Sequence, residues 1–388
     1  MTRAKKLIRT VHLWLGLISG LLVFIIAITG CIYAFQEEIQ NATQPYRFVK
    51  KEAAPFLPPS RLQEMADRAL PQKHVHAVLY RDSVHAAQVI YYSFEEHYYY
   101  FAYVNQYTGQ VLKVKDEFAD FFRIVLDGHF YLWLPPHIGQ PIVASATLVF
   151  FVMLVTGIVL WWPKNKNGIR KKFTIKWQAG WRRQNYDLHS VLGFYVSWLA
   201  LVLVLTGLVW GFVWFRDGVF AIASGGKKFV DYYAPTSDSA RAQALPLAAI
   251  DLVWLRMVRE YPDAEWIEVH PAESATGSIA ANANPDADTY WKIDYRYFDQ
   301  YTLKELPVDH VWNRFEEATA ADKLMRMNYD IHVGAIAGLP GKMLAFLVSL
   351  TVASLPITGV LVWWGRKKKS KEKNRTLMDE PVTEPLAV

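Results

Sequence analysis

Residues 187–215 read DLHSVLGFYVSWLALVLVLTGLVWGFVWF, and no acid or base lies between Asp187 and Arg216. An α-helix rises about 1.5 Å per residue, and the hydrocarbon layer of a bilayer is about 30 Å thick. A helix of this length is therefore long enough to cross the bilayer. Three other stretches are equally free of charge, namely those between Arg9 and Glu37, between Lys342 and Arg366, and from Pro141 to Trp162. The sequence therefore predicts a membrane protein with four transmembrane α-helices.

The composition fits that class, because 52% of the 388 residues are hydrophobic and 20% are charged, with a net charge of +6. The single cysteine, Cys31, excludes a disulfide framework and an iron–sulfur cluster. The first span is too long for a signal-peptide core, and we expect it to be retained as an anchor. The spans carry no charged residue for an ion relay, and the chain has no P-loop or GxGxxG motif. A transporter and a nucleotide-dependent enzyme are thus disfavoured.

Lys and Arg residues are concentrated in three places, which are residues 3–9, the loop 164–187 and the tail 366–388. The positive-inside rule assigns all three to the cytoplasm, and four spans satisfy this arrangement. The basic charge is explained by topology and by anionic lipid, so we expect a lipid bilayer as the partner and no nucleic acid.

The two remaining segments, 37–128 and 217–331, are predicted to lie outside the cytoplasm, and both have the same coarse order. Each begins with an amphipathic helix and continues with strand-like runs. The predicted helices are 60–70 and 245–260, and the predicted strands are 74–80, 88–93, 98–106, 266–270 and 290–298. Each segment is therefore predicted to be a small α/β module.

These assignments divide the chain into eight parts. They are 1–36 (N-terminus and first span), 37–128 (first module), 129–163 (second span), 164–187 (basic loop), 188–216 (third span), 217–331 (second module), 332–365 (fourth span) and 366–388 (tail).

The two halves of the chain also share anchors within the membrane. Each half has a His followed by Thr-Gly in its first span, and a second His followed by Thr-Gly and Trp-Trp in its second span. The anchors are His12 with Thr29, His189 with Thr206, His129 with Thr156, and His332 with Thr358. We therefore predict a tandem duplication whose halves are related in parallel.

The predicted topology assigns the four histidines to two depths. His12 and His189 begin helices that run outward, so they lie near the cytoplasmic face, whereas His129 and His332 lie near the outer face. Halves packed about an axis normal to the membrane would bring each pair together. Imidazole is an axial ligand of haem iron, and helix bundles hold cofactors between facing helices. We therefore predict one haem at each pair.

Neighbouring residues bear on this prediction. Gly16 and Gly193 follow His12 and His189 by one turn on the same helix face, and their missing side chains would leave room for a flat porphyrin. An aspartate stands two positions before His129, His189 and His332. It could orient the imidazole or cap a helix N-terminus, and the pattern does not separate these interpretations.

Other interpretations of the histidines stay open. Each could be a hydrogen-bonded residue at a membrane interface. Zinc is a rival metal, although paired histidines without Cys or carboxylate ligands make an incomplete tetrahedral site. His137 competes with His129 for the outer pair and is otherwise a candidate substrate-side residue. The histidines of the modules are predicted to be surface residues, namely His74, His76, His85, His97, His270 and His310.

The chain resembles the bacterial PepSY-associated transmembrane proteins up to about residue 368. The resemblance is carried by HLWLG at 12–16, NQYTG at 105–109, DLHSVLG at 187–193, DIHVGAIAGLPG at 330–341 and TGVLVWW at 358–364. Within that family it is most similar to the di-haem ferric-siderophore reductases of the FoxB type. It departs from the pattern at Leu303, where the first module has the turn glycine Gly109, and at Pro135-Pro136.

The resemblance implies an oxidoreductase of the bacterial inner membrane with two haem b groups. The family pattern falls on His12 and His189 for the cytoplasmic-side haem, and on His129 and His332 for the periplasmic-side haem. Electrons from an unidentified cytoplasmic donor would reduce a ferric siderophore in the periplasm and release iron for uptake. Two alternatives are a PepSY protein that regulates a periplasmic partner, and a haem reductase for another acceptor such as a quinone or copper.

Overall fold

The computed structural model describes residues 2–163, 172–242 and 244–378. Within that part of the chain, four helices are long and apolar enough to cross a membrane, which confirms the prediction of four such segments. Their bounds are Arg3–Tyr33, Pro136–Trp161, Trp181–Gly211 and Ala335–Arg366. Residues 164–171 of the predicted basic loop and 379–388 of the predicted tail lie outside the described residues.

The chain forms two compact units, each assembled from separate parts of the sequence. The first, called the helical unit, comprises Met1–Cys31, Gly128–Leu208 and Ala345–Val388. The second, called the sheet unit, comprises Ile32–Asp127 and Val209–Leu344.

The helices and strands follow one another in a fixed order along the chain. The helices are α1 (Arg3–Tyr33), α2 (Gln36–Thr43), α3 (Pro59–Asp67), α4 (Phe121–Tyr131), α5 (Pro136–Trp161), α6 (Trp181–Asp187), α7 (Gly193–Gly211), α8 (Val213–Ser224), α9 (Ala249–Glu260), α10 (Ala320–His332) and α11 (Gly338–Met378). The strands are β1 (Val75–Tyr80), β2 (Ala87–Ser93), β3 (Tyr98–Val104), β4 (Val111–Asp116), β5 (Trp266–His270), β6 (Ser278–Asn284), β7 (Asp294–Asp299) and β8 (Glu305–Leu306).

The third span changes its hydrogen-bond pattern near its start without being broken. Between α6 and α7, residues Leu188–Leu192 form a π-helical turn. This turn contains His189. Because π-helical turns inside α-helices are rare and are frequent at functional sites, the local geometry singles out this histidine independently of the sequence pattern.

The strands of both predicted modules belong to one antiparallel sheet of eight strands. Its order is β4-β3-β2-β1-β5-β6-β7-β8, so each half is a meander and the two halves meet where β1 pairs with β5. The pairing places Val78 opposite Val269 and Tyr80 opposite Ile267. The expectation of two modules is therefore modified, because the modules share a continuous hydrogen-bonded sheet.

One face of the sheet packs against α3 and α9, the amphipathic helices predicted at the start of each module. Leu62 of α3 and Met257 of α9 are fully buried in this core. Asp251 of α9 accepts hydrogen bonds from the backbone nitrogen of Ser60 at 2.9 Å and from its hydroxyl at 2.6 Å. The carboxylate thus links the two helices and satisfies a free N–H group in the first turn of α3.

Five strands lie close to their predicted places, whereas β4, β6 and β8 were missed. The sequence of β6 is SIAANAN, which is poor in the β-branched and aromatic residues that mark strands. The predicted strand 290–298 begins late, at Asp294, because the backbone N–H groups of Tyr290 and Trp291 donate to the carboxylate of Asp330 instead of joining a ladder.

The turns after β3 and β7 use the same backbone conformation with different residues. Gly109 has a φ of +76° and Leu303 has a φ of +56°. The departure at Leu303 therefore leaves the turn intact, although a side chain in this left-handed region costs about 1–2 kcal/mol. Leu303 packs against the core under the sheet, and this contact offsets part of that cost.

We expect Gly109→Ala to lower the free energy of unfolding by about 1–2 kcal/mol, because alanine is strained at this φ. A Cβ atom there would also lie 3.2 Å from Cγ of Met65. The control is Gly218→Ala in α8, where a Cβ atom would meet nothing within 4 Å. This substitution should stabilise the helix by up to about 1 kcal/mol, because alanine has the higher helix propensity. Thermal unfolding of the detergent-solubilised variants measures both, and shifts in the same direction would contradict the assignment.

Candidate functional site

Two of the predicted ligands, His12 and His189, face each other in the helical unit. Their ring centres are 6.5 Å apart and their ring planes are inclined by 77°. His12 lies in the first part of α1, and His189 lies in the π-helical turn before α7. The structure thus brings together the pair that the sequence assigned to the cytoplasmic side.

A threonine on another helix fixes each ring. Nδ1 of His12 lies 2.9 Å from the hydroxyl of Thr156, and Nδ1 of His189 lies 3.0 Å from the hydroxyl of Thr358. Each threonine hydroxyl donates its own proton to a carbonyl of its helix, at Val152 for Thr156. The hydroxyl therefore accepts a hydrogen bond from Nδ1–H of the imidazole.

Backbone carbonyls give the rings a second partner. The carbonyl of Met153 interacts with His12, and that of Leu355 interacts with His189, three residues before the respective threonine. With Nδ1 as the donor, the neutral imidazole has its lone pair on Nε2. Neither Nε2 atom makes a hydrogen bond within the described residues, so both are available to a metal.

The glycine after each threonine leaves space for the imidazole ring beside the helix backbone. A Cβ atom at Gly157 would lie 3.4 Å from Cε1 of His12, and one at Gly359 would lie 3.3 Å from Cε1 of His189. Each ring therefore packs directly on the glycine backbone. The Thr-Gly pair supplies both the hydrogen bond and the space.

His129 is surrounded by the same kinds of groups as His12 and His189, namely a threonine hydroxyl, a backbone carbonyl and a glycine. Its Nδ1 lies 2.8 Å from the carbonyl oxygen of Ile26 and 3.3 Å from the hydroxyl of Thr29. A Cβ atom at Gly30 would lie 3.2 Å from its Cε1. Three of the four predicted histidines are thus held by a Thr-Gly pair and by the carbonyl three residues before the threonine.

His332 is the last residue of α10 in the sheet unit. Its ring centre lies 5.2 Å from that of Trp210, in an edge-to-face arrangement. Trp210 also contacts Tyr329, one turn earlier on α10, at 6.3 Å. The surroundings of His332 are therefore aromatic.

The separation of His12 and His189, called the inner pair, is compatible with two ligands of one metal ion. Imidazoles on opposite sides of one metal ion, with metal–nitrogen bonds of about 2 Å, hold their ring centres roughly 6 Å apart. The separation of 6.5 Å between His12 and His189 fits this requirement. The large angle between the planes is compatible with it, because each ring can turn about its own metal–nitrogen bond. A bis-imidazole haem needs these two ligands alone, whereas zinc needs three or four protein ligands.

The two glycines predicted to make room for a porphyrin lie beside flexible side chains. A Cβ atom at Gly16 would lie 3.0 Å from Cε of Met153, and one at Gly193 would lie 3.6 Å from Cδ2 of Leu355. These are the same two residues whose carbonyls hold the rings. The role of Gly16 and Gly193 in cofactor binding stays a prediction.

The aspartates near the histidines have other partners than the imidazoles. Asp187 pairs with Arg183, Asp127 pairs with Arg123, and Asp330 accepts from the backbone of Tyr290. Asp127 and Asp330 lie inside α4 and α10, so they are not N-caps either. At His129 and His189 a threonine hydroxyl or a backbone carbonyl lies at Nδ1, so Asp127 and Asp187 do not orient these imidazoles. Asp187 also makes no side-chain cap hydrogen bond to the π-helical turn that follows it.

The remaining histidines are spread over the surface and the interior. His137 is exposed in the first turn of α5, and it makes no hydrogen bond or ring contact within the described residues. His310 was predicted to be a surface residue but is only 1% exposed. Its Nε2 lies 3.1 Å from the carbonyl oxygen of Tyr233, and aromatic rings surround it. That prediction was wrong, because Tyr232, Tyr233 and Tyr297, which are distant in sequence, enclose the ring together with the nearby Trp312.

The residues missed by the sequence reasoning are the threonines. The sequence pattern identifies them only as anchors of the repeat. The constant spacing between His and Thr-Gly was the available signal, since it places a hydroxyl on one helix at the depth of an imidazole on its neighbour.

A protein-family model described as PepSY-associated TM region matches residues 9–366, which is nearly the whole chain. No curated protein matches the chain significantly.

We expect Thr358→Val to lower the stability of the helical unit by about 1 kcal/mol, because Nδ1–H of His189 loses a buried acceptor while the side-chain shape is kept. The matched control is Thr351→Val on the same helix, since that hydroxyl donates only to the carbonyl of Leu347. The unfolding midpoint in detergent measures the difference. Equal midpoints for the two variants would show that the threonine does not hold the ring.

Proposed function

This chain belongs to the PepSY-associated transmembrane family, and on that premise we propose that it carries electrons through haem groups to ferric siderophores outside the cytoplasm. The observation that carries the proposal is the facing pair His12 and His189 at a ring separation of 6.5 Å. Both imidazoles are oriented through Nδ1, which leaves Nε2 for iron.

The family and the four apolar helices make this a multi-pass membrane protein. The proposal further assigns it to the bacterial inner membrane, with both termini in the cytoplasm and the sheet unit in the periplasm. The asymmetry of Lys and Arg supports this orientation. The proposal also includes the tandem duplication, supported by the recurrence of a helix and a four-stranded meander in each half of the sheet.

The residues of the chain have defined tasks in this function. Thr156 and Thr358 fix the tautomer of the inner histidines and increase their basicity as ligands, and Gly157 and Gly359 fix the position of the rings. A haem held by these two imidazoles would supply one-electron transfer, and oxygen activation would be disfavoured because both ligand positions would be taken by the protein. The apolar helices around His12 and His189 would limit the access of water to a bound haem and thereby tune its reduction potential.

The outer pair, His129 and His332, is proposed from the sequence pattern and the family resemblance. The Thr-Gly environment of His129 supports the proposal, because it repeats the arrangement of the inner histidines. The final step adds one electron to iron(III) in the chelate. Iron(II) binds hard oxygen ligands more weakly, so iron is released for uptake.

An optical spectrum of the purified protein tests this proposal. Sharp reduced α and Soret bands after dithionite, which disappear on addition of a ferric siderophore, would support it. Reduced bands that persist with the chelate but disappear with a quinone or with copper would favour the other acceptors. A spectrum without haem bands after expression with ample haem would favour a regulatory PepSY protein.

We expect His12→Ala and His189→Ala each to lose roughly half of the bound haem, because one axial ligand is removed from the same site. His129→Ala and His332→Ala should lose the other half. Haem content is measured by the pyridine haemochrome assay, and His74→Ala, an exposed residue of the sheet unit, is the control. Unchanged haem content in all four variants would overturn the ligand assignment.

A further inference from the structure

The sheet unit contains a partly open cavity of about 360 Å³. Its floor is formed by side chains that alternate with those of the core, such as Phe101, Tyr103 and Glu268, so it is the sheet face opposite α3 and α9. Its walls include Tyr33 at the end of α1 and Tyr329 on α10. The volume falls within the range of small-ligand pockets, about 300–1,000 Å³.

Tyrosine hydroxyls without an internal partner line this cavity. Tyr33, Tyr99 and Tyr103 form no hydrogen bond through their hydroxyls within the described residues, although Tyr103 is only 1% exposed. By contrast, the buried tyrosines on the core face do, as Tyr80 donates to the carbonyl of Leu57 and Tyr91 to Asp67. A buried polar group usually has a partner. These hydroxyls are therefore positioned for a ligand or water in the cavity.

The cavity carries no excess charge. Its lining has equal numbers of acidic and basic side chains. They are partly paired with each other, as Arg81 is with Glu37 and Lys115 with Glu117. Trp266 and Phe101 add apolar surface to the same floor. The site thus favours a ligand of low net charge that combines oxygen acceptors with an apolar part.

The tyrosines of the cavity are hydrogen-bond donors at neutral pH. Burial, with the neighbouring Glu117 carboxylate, raises the pKa of Tyr99 to about 12. Burial also raises the pKa of Tyr103. Protonated phenols donate to oxygen acceptors of a ligand, and they do not replace its donor atoms on a metal ion.

An aromatic contact connects the cavity wall with His332. Tyr290 and Tyr329 both line the cavity, and their ring centres are 5.3 Å apart. Trp210 lies against Tyr329 at 6.3 Å and against His332 at 5.2 Å. A ligand in the cavity would therefore be separated from this proposed haem ligand by two aromatic side chains.

From these observations we infer that the cavity is the acceptor site, which binds the metal-bearing part of an oxygen-donor iron(III) chelate of low net charge. The inference rests on the proposed function and adds its binding site. The tyrosine hydroxyls donate to the chelating oxygens, and the apolar floor covers the organic part of the ligand. A haem held at His332 would supply the one electron that reduces iron(III) of the chelate to iron(II), and no covalent bond to the protein would form.

Binding can be tested separately from reduction with a gallium(III) trihydroxamate chelate, because gallium(III) resembles iron(III) in charge and size and is not reduced. Titration calorimetry with the full chain in detergent should give saturable binding. Tyr99→Phe combined with Tyr103→Phe should weaken it by about tenfold, through loss of two donors. Tyr92→Phe is the matched control, since it lies on the same sheet outside the cavity and its hydroxyl also forms no internal hydrogen bond.

No binding by the wild-type chain, or equal affinity in the double variant and in Tyr92→Phe, would overturn the inference. His332→Ala should retain gallium-chelate affinity, since it does not line the cavity. Binding that depends on Tyr99 and Tyr103, in a protein whose purified form contains no haem, would support the site while refuting the proposed electron transfer. The two ideas can therefore fail separately.

Discussion

The hydrogen bond between a buried imidazole Nδ1 and a threonine on a neighbouring helix is the constraint on which the helical unit depends. An imidazole among apolar helices must find a partner, because an unpaired buried polar group costs about 1–3 kcal/mol. Here the partner is double, since the threonine hydroxyl and the carbonyl one turn earlier both face Nδ1. The following glycine lets the ring approach the backbone. Together these contacts fix which helices are neighbours, at which depth and in which rotation.

Much of the helical architecture was predictable from the sequence because the signal is local. A run without charge marks a span whatever it packs against, and the histidines could be found from their place in the repeated pattern. The partner of each imidazole was not predictable in the same way. The aspartates near the histidines in sequence have the right chemistry for the task, but they pair with Arg183, with Arg123 or with the backbone N–H of Tyr290 instead. The threonines are distant in sequence, and only helix pairing brings them to the rings.

The sheet shows the same limit. The aromatic strands and both amphipathic helices were predictable from their periodicity, and β6 was missed because alanine and asparagine give little strand signal. That β1 pairs with β5 is a contact between distant parts of the chain that no local pattern reports. The contacts of His310 with Tyr232 and Tyr297, and the cavity on the open sheet face, likewise join parts of the chain that are distant in sequence.

The pairing of β1 with β5 joins the first strand of one meander, antiparallel, to the first strand of the other. In symmetric dimers, equivalent strands meet in this way across a twofold axis. A dimer held by such an edge dissociates on dilution, whereas here the intervening chain supplies the second strand at a fixed effective concentration. The centre of the sheet is therefore complete in every single molecule, and it does not depend on how many copies the membrane contains.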